Sequence, residues 1–243
     1  MNLGAQLYGF KEEELKMRPE KVFKAIADIG YQAVEMPFVL EASSLLNEYD
    51  LTCSALHIGS EGLLNYVELL DYLDRHDCAN LCVSGPLGWH DCSLENFSAT
   101  CSIINKAAEE FKVAGVKVHY HNHDFEFLKS TRNDITPFDI LNKELDITNV
   151  GLCVDIGWLH LTGIDPVLFL KEHASRISYL HLRDFAQGRS VALGEGEVKL
   201  LQIMKTFDLL SDLQWLMVEF EPTDNAYQYF ARSERFLRAN HIC

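Results

Sequence analysis

The 243-residue sequence predicts a (β/α)8 barrel, a single α/β domain over residues 1–243. Three observations point there. Short β-branched or apolar runs alternate eight times with segments of helical periodicity, at the roughly 30-residue spacing of a βαβ unit. Strands separated by helices must run parallel, because each crossover returns the chain to the same end of the sheet. An open doubly wound sheet would usually carry a glycine-rich phosphate loop after its first strand, and Gly9-Phe10-Lys11 does not supply one.

Residues 3–8 read as the first strand. Pro19 suits the first turn of a helix over 19–29, Val22, Ala25, Ile26 and Ile29 share one face of it, and Gly30 stops it. A second strand follows at 32–36, a short helix at 42–49 and a third strand at 52–57. Leu63, Tyr66, Val67 and Leu70 mark one face of a helix over 62–73, and 80–84 is the fourth strand. Ser93 is placed to cap a long helix over 94–111. The fifth strand spans 116–120 and its helix 137–143. The sixth spans 150–154, with a helix at 166–173. The seventh strand, 177–182, leads to a helix at 198–209, and the eighth, 215–219, to a final helix at 226–239. No low-complexity linker divides the chain.

Asp and Glu number 36 against 21 Lys and Arg, a formal net charge of −15. That balance disfavours a broad basic surface and argues against a nucleic-acid partner. No apolar run approaches the ~20 residues of a membrane span. Met1-Asn2-Leu3-Gly4 lacks the basic-then-apolar layout of a signal peptide. The seven cysteines, Cys53, Cys78, Cys82, Cys92, Cys101, Cys153 and Cys243, are odd in number and contain no C-x-x-C spacing. Reduced thiols are expected, several as small core residues, in a soluble cytoplasmic protein.

In a barrel the site lies at the C-terminal ends of the strands. There stand Gln6 and Tyr8, Glu35, His57, Ser84-Gly85, the tract His119 to Glu126, Asp155, His181, and Glu219 with Glu221 two positions on. Ionisable groups after apolar strands are costly to bury unless paired or metal-bound. Glu126, Asp155, His181 and Glu219 come from four consecutive strands and are expected to converge. Three carboxylates and one imidazole suit one divalent ion: Mn²⁺, Mg²⁺ or Co²⁺, with Zn²⁺ an alternative. Singly, each has a plainer explanation: Asp155 as a helix cap, His181 as a satisfied core histidine, the histidines of 119–123 as a chance cluster. Only a site explains them jointly. Strand alternation lets one of Glu219 and Glu221 face the mouth, and Glu219 is the expected one, with Glu221 solvated. His119 and His241 are expected outside the metal shell.

Five motifs occur in order along the chain: Tyr120-His121-Asn122-His123-Asp124-Phe125-Glu126-Phe127; Val154-Asp155-Ile156-Gly157-Trp158 with Gly163-Ile164-Asp165-Pro166; Ile177-Ser178-Tyr179-Leu180-His181-Leu182-Arg183-Asp184; Leu193-Gly194-Glu195-Gly196; and Val218-Glu219. Together they resemble the xylose-isomerase-like TIM barrels of the sugar phosphate isomerase/epimerase group, most strongly from 116 to 222. The resemblance implies one divalent metal held by Glu126, Asp155, His181 and Glu219, with a small sugar or polyol over it. In the ketose epimerases of that group the two metal-bound glutamates also handle protons, which casts Glu126 and Glu219 as catalytic. One removes a proton beside a carbonyl, the metal stabilises the cis-enediolate, and the other returns a proton. Glu35, His57, His123 and Arg183 are then expected to contact substrate. The loop at 194–196 is expected to close over it, and Trp89 and Trp158 to stack on an apolar sugar face. One position departs from the pattern: the histidine that commonly follows the sixth-strand aspartate by three is Trp158 here.

The expected function is a metal-dependent sugar isomerase or epimerase. Two alternatives stay open: a lyase or dehydratase of a keto-sugar or keto-inositol, which begins with the same proton abstraction, and a catalytically inactive sugar-binding barrel. A DNA-repair nuclease on this barrel would need three zinc ions and further histidines where Ser84-Gly85 and Trp158 stand. No phosphate grip is evident. Related barrels are often dimers or tetramers, so a homo-oligomer is compatible with the resemblance.

Overall fold

The computed structural model describes residues 2–38, 40–89, 91–129 and 134–242. Its strands are β1 (Asn2–Gln6), β2 (Ala33–Met36), β3 (Thr52–Gly59), β4 (Asn80–Ser84), β5 (Lys117–His121), β6 (Val150–Asp155), β7 (Ile177–Leu182), a hairpin of β8 (Asp184–Ala186) and β9 (Arg189–Val191), and β10 (Trp215–Val218). Eight of them close into a barrel in the order β1-β10-β7-β6-β5-β4-β3-β2, β1 meeting β2, with every pair parallel. Each of the eight expected strands is present.

The helices between them are α1 (Glu12–Met17), α2 (Pro19–Ile29), α3 (Ser43–Glu48), α4 (Tyr66–Arg75), α5 (Leu94–Val113), α6 (Pro137–Glu144), α7 (Ile156–Leu161), α8 (Pro166–Glu172), α9 (Leu200–Met204) and α10 (Ala226–Ala239). Local chemistry sets their ends. The Ser93 hydroxyl accepts from the Asn96 N–H at the start of α5, and Thr136 and Asp139 form a reciprocal capping box on α6. Gly30 ends α2 at φ 113°, a left-handed conformation that a residue with a Cβ adopts poorly. Two expected helices are shorter. Residues 60–65 form a 3-10 turn ahead of α4, and α9 begins only at Leu200 because the Val198 N–H is already bonded to Asp184. Helices α1 and α7 and the β8–β9 hairpin were not expected from the periodicity.

Strand alternation divides the core. Outward side chains pack under the helices in one large apolar cluster. Inward ones form a small cluster of Ala55, Cys82, Cys153, Tyr179 and Met217 beneath the barrel mouth. Met217 fills the axis because β1 carries Gly4 opposite it, where a Cβ would stand 2.5 Å from the Met217 methyl. His119 also points inward. Its ring is bonded to Ser178 Oγ at 2.8 Å and Asn80 Oδ1 at 3.0 Å, and burial pushes its pKa down to about 3, so it is a neutral structural histidine. The cysteines among the described residues are all free, five of them buried; Cys243 lies outside the described residues. No helix among the described residues is long and apolar enough to cross a membrane.

Candidate active site

Register brings the first ligand candidates together. Asp155 at the end of β6 pairs directly with His181 of β7, and His181 pairs with Met217 of β10, two residues before Glu219. The Glu219 N–H continues the ladder onto the Leu182 carbonyl at 3.1 Å. From the other side, β5 turns His121 inward. One ligand atom from each of His121, Asp155, His181 and Glu219 lies within 4.8 Å of all the others, and all four residues are buried. His57, His121 and His181 make a second, overlapping group. Three of the four expected ligands therefore converge. The fourth place is taken by His121, not Glu126. The signal for it was present in the sequence: His119 and His121 share the inward parity of β5, and Tyr120 between them the outward one.

Glu126 sits in a 3-10 turn, Phe125–Phe127, beyond β5. Its carboxylate accepts from the Tyr120 hydroxyl at 2.9 Å and from the His123 N–H at 2.8 Å. Because Tyr120 belongs to the outer face of β5, this carboxylate is held on the far side of the strand from the cluster. Burial pushes its pKa up to about 8, although both hydrogen bonds pull the other way. The ordinary value is 4.5. Between these two values the folded chain binds a proton that the unfolded chain has lost. Stability from this group is complete below about pH 4.5 and falls as pH rises toward 8. Glu126→Gln, neutral throughout, is expected to remove that loss. Its melting temperature relative to wild type should climb from about pH 5 to about pH 8, with Mn²⁺ binding unchanged.

Arg183 sits among the carboxylates, fully buried. Its Nε lies 2.8 Å from Asp155 Oδ2, its Nη2 2.5 Å from Glu219 Oε1 and its Nη1 2.7 Å from Glu221 Oε1. Burial works to raise the Glu219 pKa, but Arg183 and His181 overcome it and hold the carboxyl well below the usual range. His181 lies between two carboxylates, Nδ1 toward Glu219 Oε2 at 2.5 Å and Nε2 toward Glu35 Oε2 at 2.9 Å. Burial disfavours its charge, yet the two carboxylates raise its pKa well above the ordinary histidine value. Asp155 has two tasks. Its Oδ1 caps α7 by accepting from the N–H groups of Gly157 and Trp158, as the plainer sequence explanation had it, and its Oδ2 faces the cluster.

A cavity of about 670 Å³ opens above the cluster at the barrel mouth. Tyr8, His57, Ser84, His121, Arg183, Glu219 and Glu221 give it a polar floor and side, and Trp89, His123, Phe125 and Trp158 an aromatic wall. Of the expected substrate contacts, His57, His123 and Arg183 line it. Glu35 does not: it is completely buried below, bonded to Gln6, His57 and His181. Arg183 reaches the cavity already paired with three carboxylates. Glu221 also lines the cavity instead of pointing to solvent, because β10 ends at Val218 and strict alternation ends with it. His123 is neutral, burial pushing its pKa down to about 3, and its buried Nδ1 has no hydrogen-bond partner. The 194–196 loop is tied down by Asp184, whose Oδ2 accepts from the N–H groups of both Gly194 and Gly196.

The four clustered residues fit a divalent ion. Two imidazoles and two carboxylates are a suitable donor set. Asp155 Oδ2 is buried and, for all its closeness to Arg183 Nε, makes no hydrogen bond of good geometry, which leaves a lone pair aimed at the cluster.

The family model for xylose isomerase-like TIM barrels matches residues 23–239. The chain belongs to the xylose isomerase-like TIM barrel family. Within this family, inosose dehydratase 1 of Bacillus cereus is 28% identical over 160 residues, 56% of this chain and 50% of that protein. The chain spans about half the length of the curated relatives it matches. Among solved structures, a sugar phosphate isomerase/epimerase from Parabacteroides distasonis ATCC 8503 superposes with a TM-score of 0.83 at 18% identity, over 98% of this chain and 97% of that one. A probable 3-DHS dehydratase from Bacillus anthracis does so with a TM-score of 0.77 at 14% identity, over 98% and 99%. At these identities the structural likenesses establish a shared fold. The xylose isomerase-like barrel thus hosts isomerases, epimerases and dehydratases, and its chemistry is decided by the groups at the mouth.

Proposed function

We propose that this chain is a divalent-metal-dependent dehydratase of a keto-sugar or keto-inositol, which removes a proton beside the carbonyl and then expels water. The observation that carries this reading is the one-sided placement of the carboxylates. Glu219 and Glu221 both follow β10 and meet Arg183, and the Glu126 carboxylate is on the far side of β5. Epimerisation between two opposed glutamates needs a second carboxylate across the substrate. Elimination needs one base and a proton donor for the leaving hydroxyl. The names of the matched inosose dehydratases carry the same reaction class.

When bound by His121, Asp155, His181 and Glu219, a divalent ion would supply Lewis-acid polarisation of the substrate carbonyl. The side chains of this chain do the remaining work. Glu219, kept ionised by Arg183, accepts the proton from carbon. His57 is held at Nδ1 by Glu35 and presents Nε2 beside Ser84 Oγ, 3.1 Å away at the cavity edge, where it can protonate the departing hydroxyl. Trp89, Phe125 and Trp158 offer flat apolar surface to one face of the substrate and keep water from it. Among the described residues lining the cavity, Arg183 is the only Arg or Lys, and its charge is already met by three carboxylates. That balance favours an uncharged polyol over a phosphate ester.

The test is a panel of ketoses and keto-inositols incubated with the Mn²⁺-loaded chain in D₂O. The expected product is lighter by one water and absorbs in the near ultraviolet as an enone or its diketone tautomer, and a chelator stops its formation. A product of unchanged elemental composition carrying deuterium at the reacting carbon would return the assignment to isomerase or epimerase. Tight sugar binding without any product would leave a binding barrel.

A further inference from the structure

We infer that Glu35 is a positioning residue, a buried carboxylate that fixes which ring nitrogen of His181 faces the metal cluster and which nitrogen of His57 faces the cavity. The inference rests on the metal set proposed above. Glu35 comes from β2 and His181 from β7, 146 positions apart in sequence and joined only by barrel closure. One carboxylate oxygen, Oε2, accepts from His181 Nε2 at 2.9 Å. The other, Oε1, accepts from His57 Nδ1 at 2.7 Å and from Gln6 Nε2 at 2.8 Å.

The two rings are therefore held in opposite senses. His181 spends Nε2–H on Glu35, so its Nδ1 is the nitrogen on the Glu219 side, within the cluster. His57 spends Nδ1–H on Glu35, so its Nε2 is the nitrogen on the Ser84 side. A metal-bound histidine is oriented by whatever its other nitrogen donates to, and loss of that partner typically costs 10–100-fold in affinity. Only a carboxylate can accept from two rings at once through two oxygens. A glutamine keeps one acceptor and turns its NH₂ on the second ring, so one histidine must change tautomer or swing away. Burial works to raise the Glu35 pKa, but His181 and His57 overcome it and hold the group at about 2, consistent with a permanently ionised acceptor.

The experiment is Mn²⁺ titration of the chelator-stripped full chain, with free Mn²⁺ read by electron paramagnetic resonance, for wild type and Glu35→Gln. Wild type is expected to bind one Mn²⁺ and the variant to bind it at least ~10-fold more weakly. A wild type that binds no Mn²⁺ overturns the metal set and the role of Glu35 with it. A wild type that binds and a variant that binds equally well overturns the role of Glu35 alone. A second measurement needs no variant: long-range ¹H–¹⁵N spectra of the Zn²⁺-loaded wild type. These are expected to show His181 protonated at Nε2 and metal-bound at Nδ1. His181 metal-bound through Nε2 would assign the ion to the His57, His121 and His181 group and would sink the inference.

Discussion

Glu219→Gln is expected to abolish turnover and to weaken Mn²⁺ binding. Turnover should fall by at least ~10²-fold, the scale for losing a positioned general base. The change is isosteric, so packing at the mouth is conserved and the loss is one of charge. It acts on three neighbours together. The metal set loses one of its two carboxylates, Arg183 loses the partner at Nη2, and His181 loses the acceptor at Nδ1. Glu221→Gln is the control: that carboxylate touches Arg183 and the cavity but stands outside the four-residue cluster. It should leave Mn²⁺ affinity within about twofold and act on KM. Steady-state kinetics and Mn²⁺ titration of both variants decide the matter. If Glu221→Gln does the greater damage to metal binding, the assignment of Glu219 as ligand fails.

Asp184→Ala is expected to cause the largest loss of stability of any single change near the mouth. The Asp184 carboxylate is completely buried and holds a whole loop through backbone donors. Its Oδ1 accepts from the N–H groups of Phe185 and Val198 at 2.9 and 3.0 Å, and its Oδ2 from those of Gly194 and Gly196, both at 2.9 Å. The loop can wrap so tightly because it carries glycines where it meets this carboxylate. Gly194 has φ +84°, and a Cβ on Gly196 would stand 2.2 Å from Asp184 Oδ1. Alanine leaves four N–H groups without an acceptor, at roughly 1–3 kcal/mol for each that stays buried. Allowing for partial rehydration, a total on the order of 4 kcal/mol corresponds to a melting temperature about 10 °C lower. Asp184→Asn should recover little of this, since its NH₂ must oppose one of the two N–H pairs. Thermal melts followed by circular dichroism measure both variants, and a shift of less than about 3 °C for Asp184→Ala would refute the assignment. The loop expected to close over substrate is in this light a fixed wall of the mouth.

The barrel was legible because its signals are local. Pro19 with Gly30, Ser93, and the apolar spacing of each helix set element ends without help from distant residues, and eight strand–helix units permit few other closures. Asp155, His181 and Glu219 were legible for a related reason: each lies at or just past a strand end, where strand parity and barrel position together fix the direction of the side chain. Glu126 lies five residues beyond the end of β5, out of reach of that parity. The 3-10 turn there carries its carboxylate over to Tyr120, and His121, within the strand, takes the inward place instead.

By itself, the sequence determined the (β/α)8 architecture, the end of the barrel that holds the chemistry, and a site built from carboxylates and histidines. Tertiary structure alone decided how those groups divide the work. Glu35, His57 and Arg183 read as equivalent substrate contacts when considered along the chain. Barrel closure makes Glu35 a partner of His181 and His57, and makes Arg183 the common counter-ion of Asp155, Glu219 and Glu221. The physical reason is that a buried charge takes its character from whichever opposite charge lies within a few ångströms, and strands β2, β7 and β10 bring those partners together from more than a hundred residues apart.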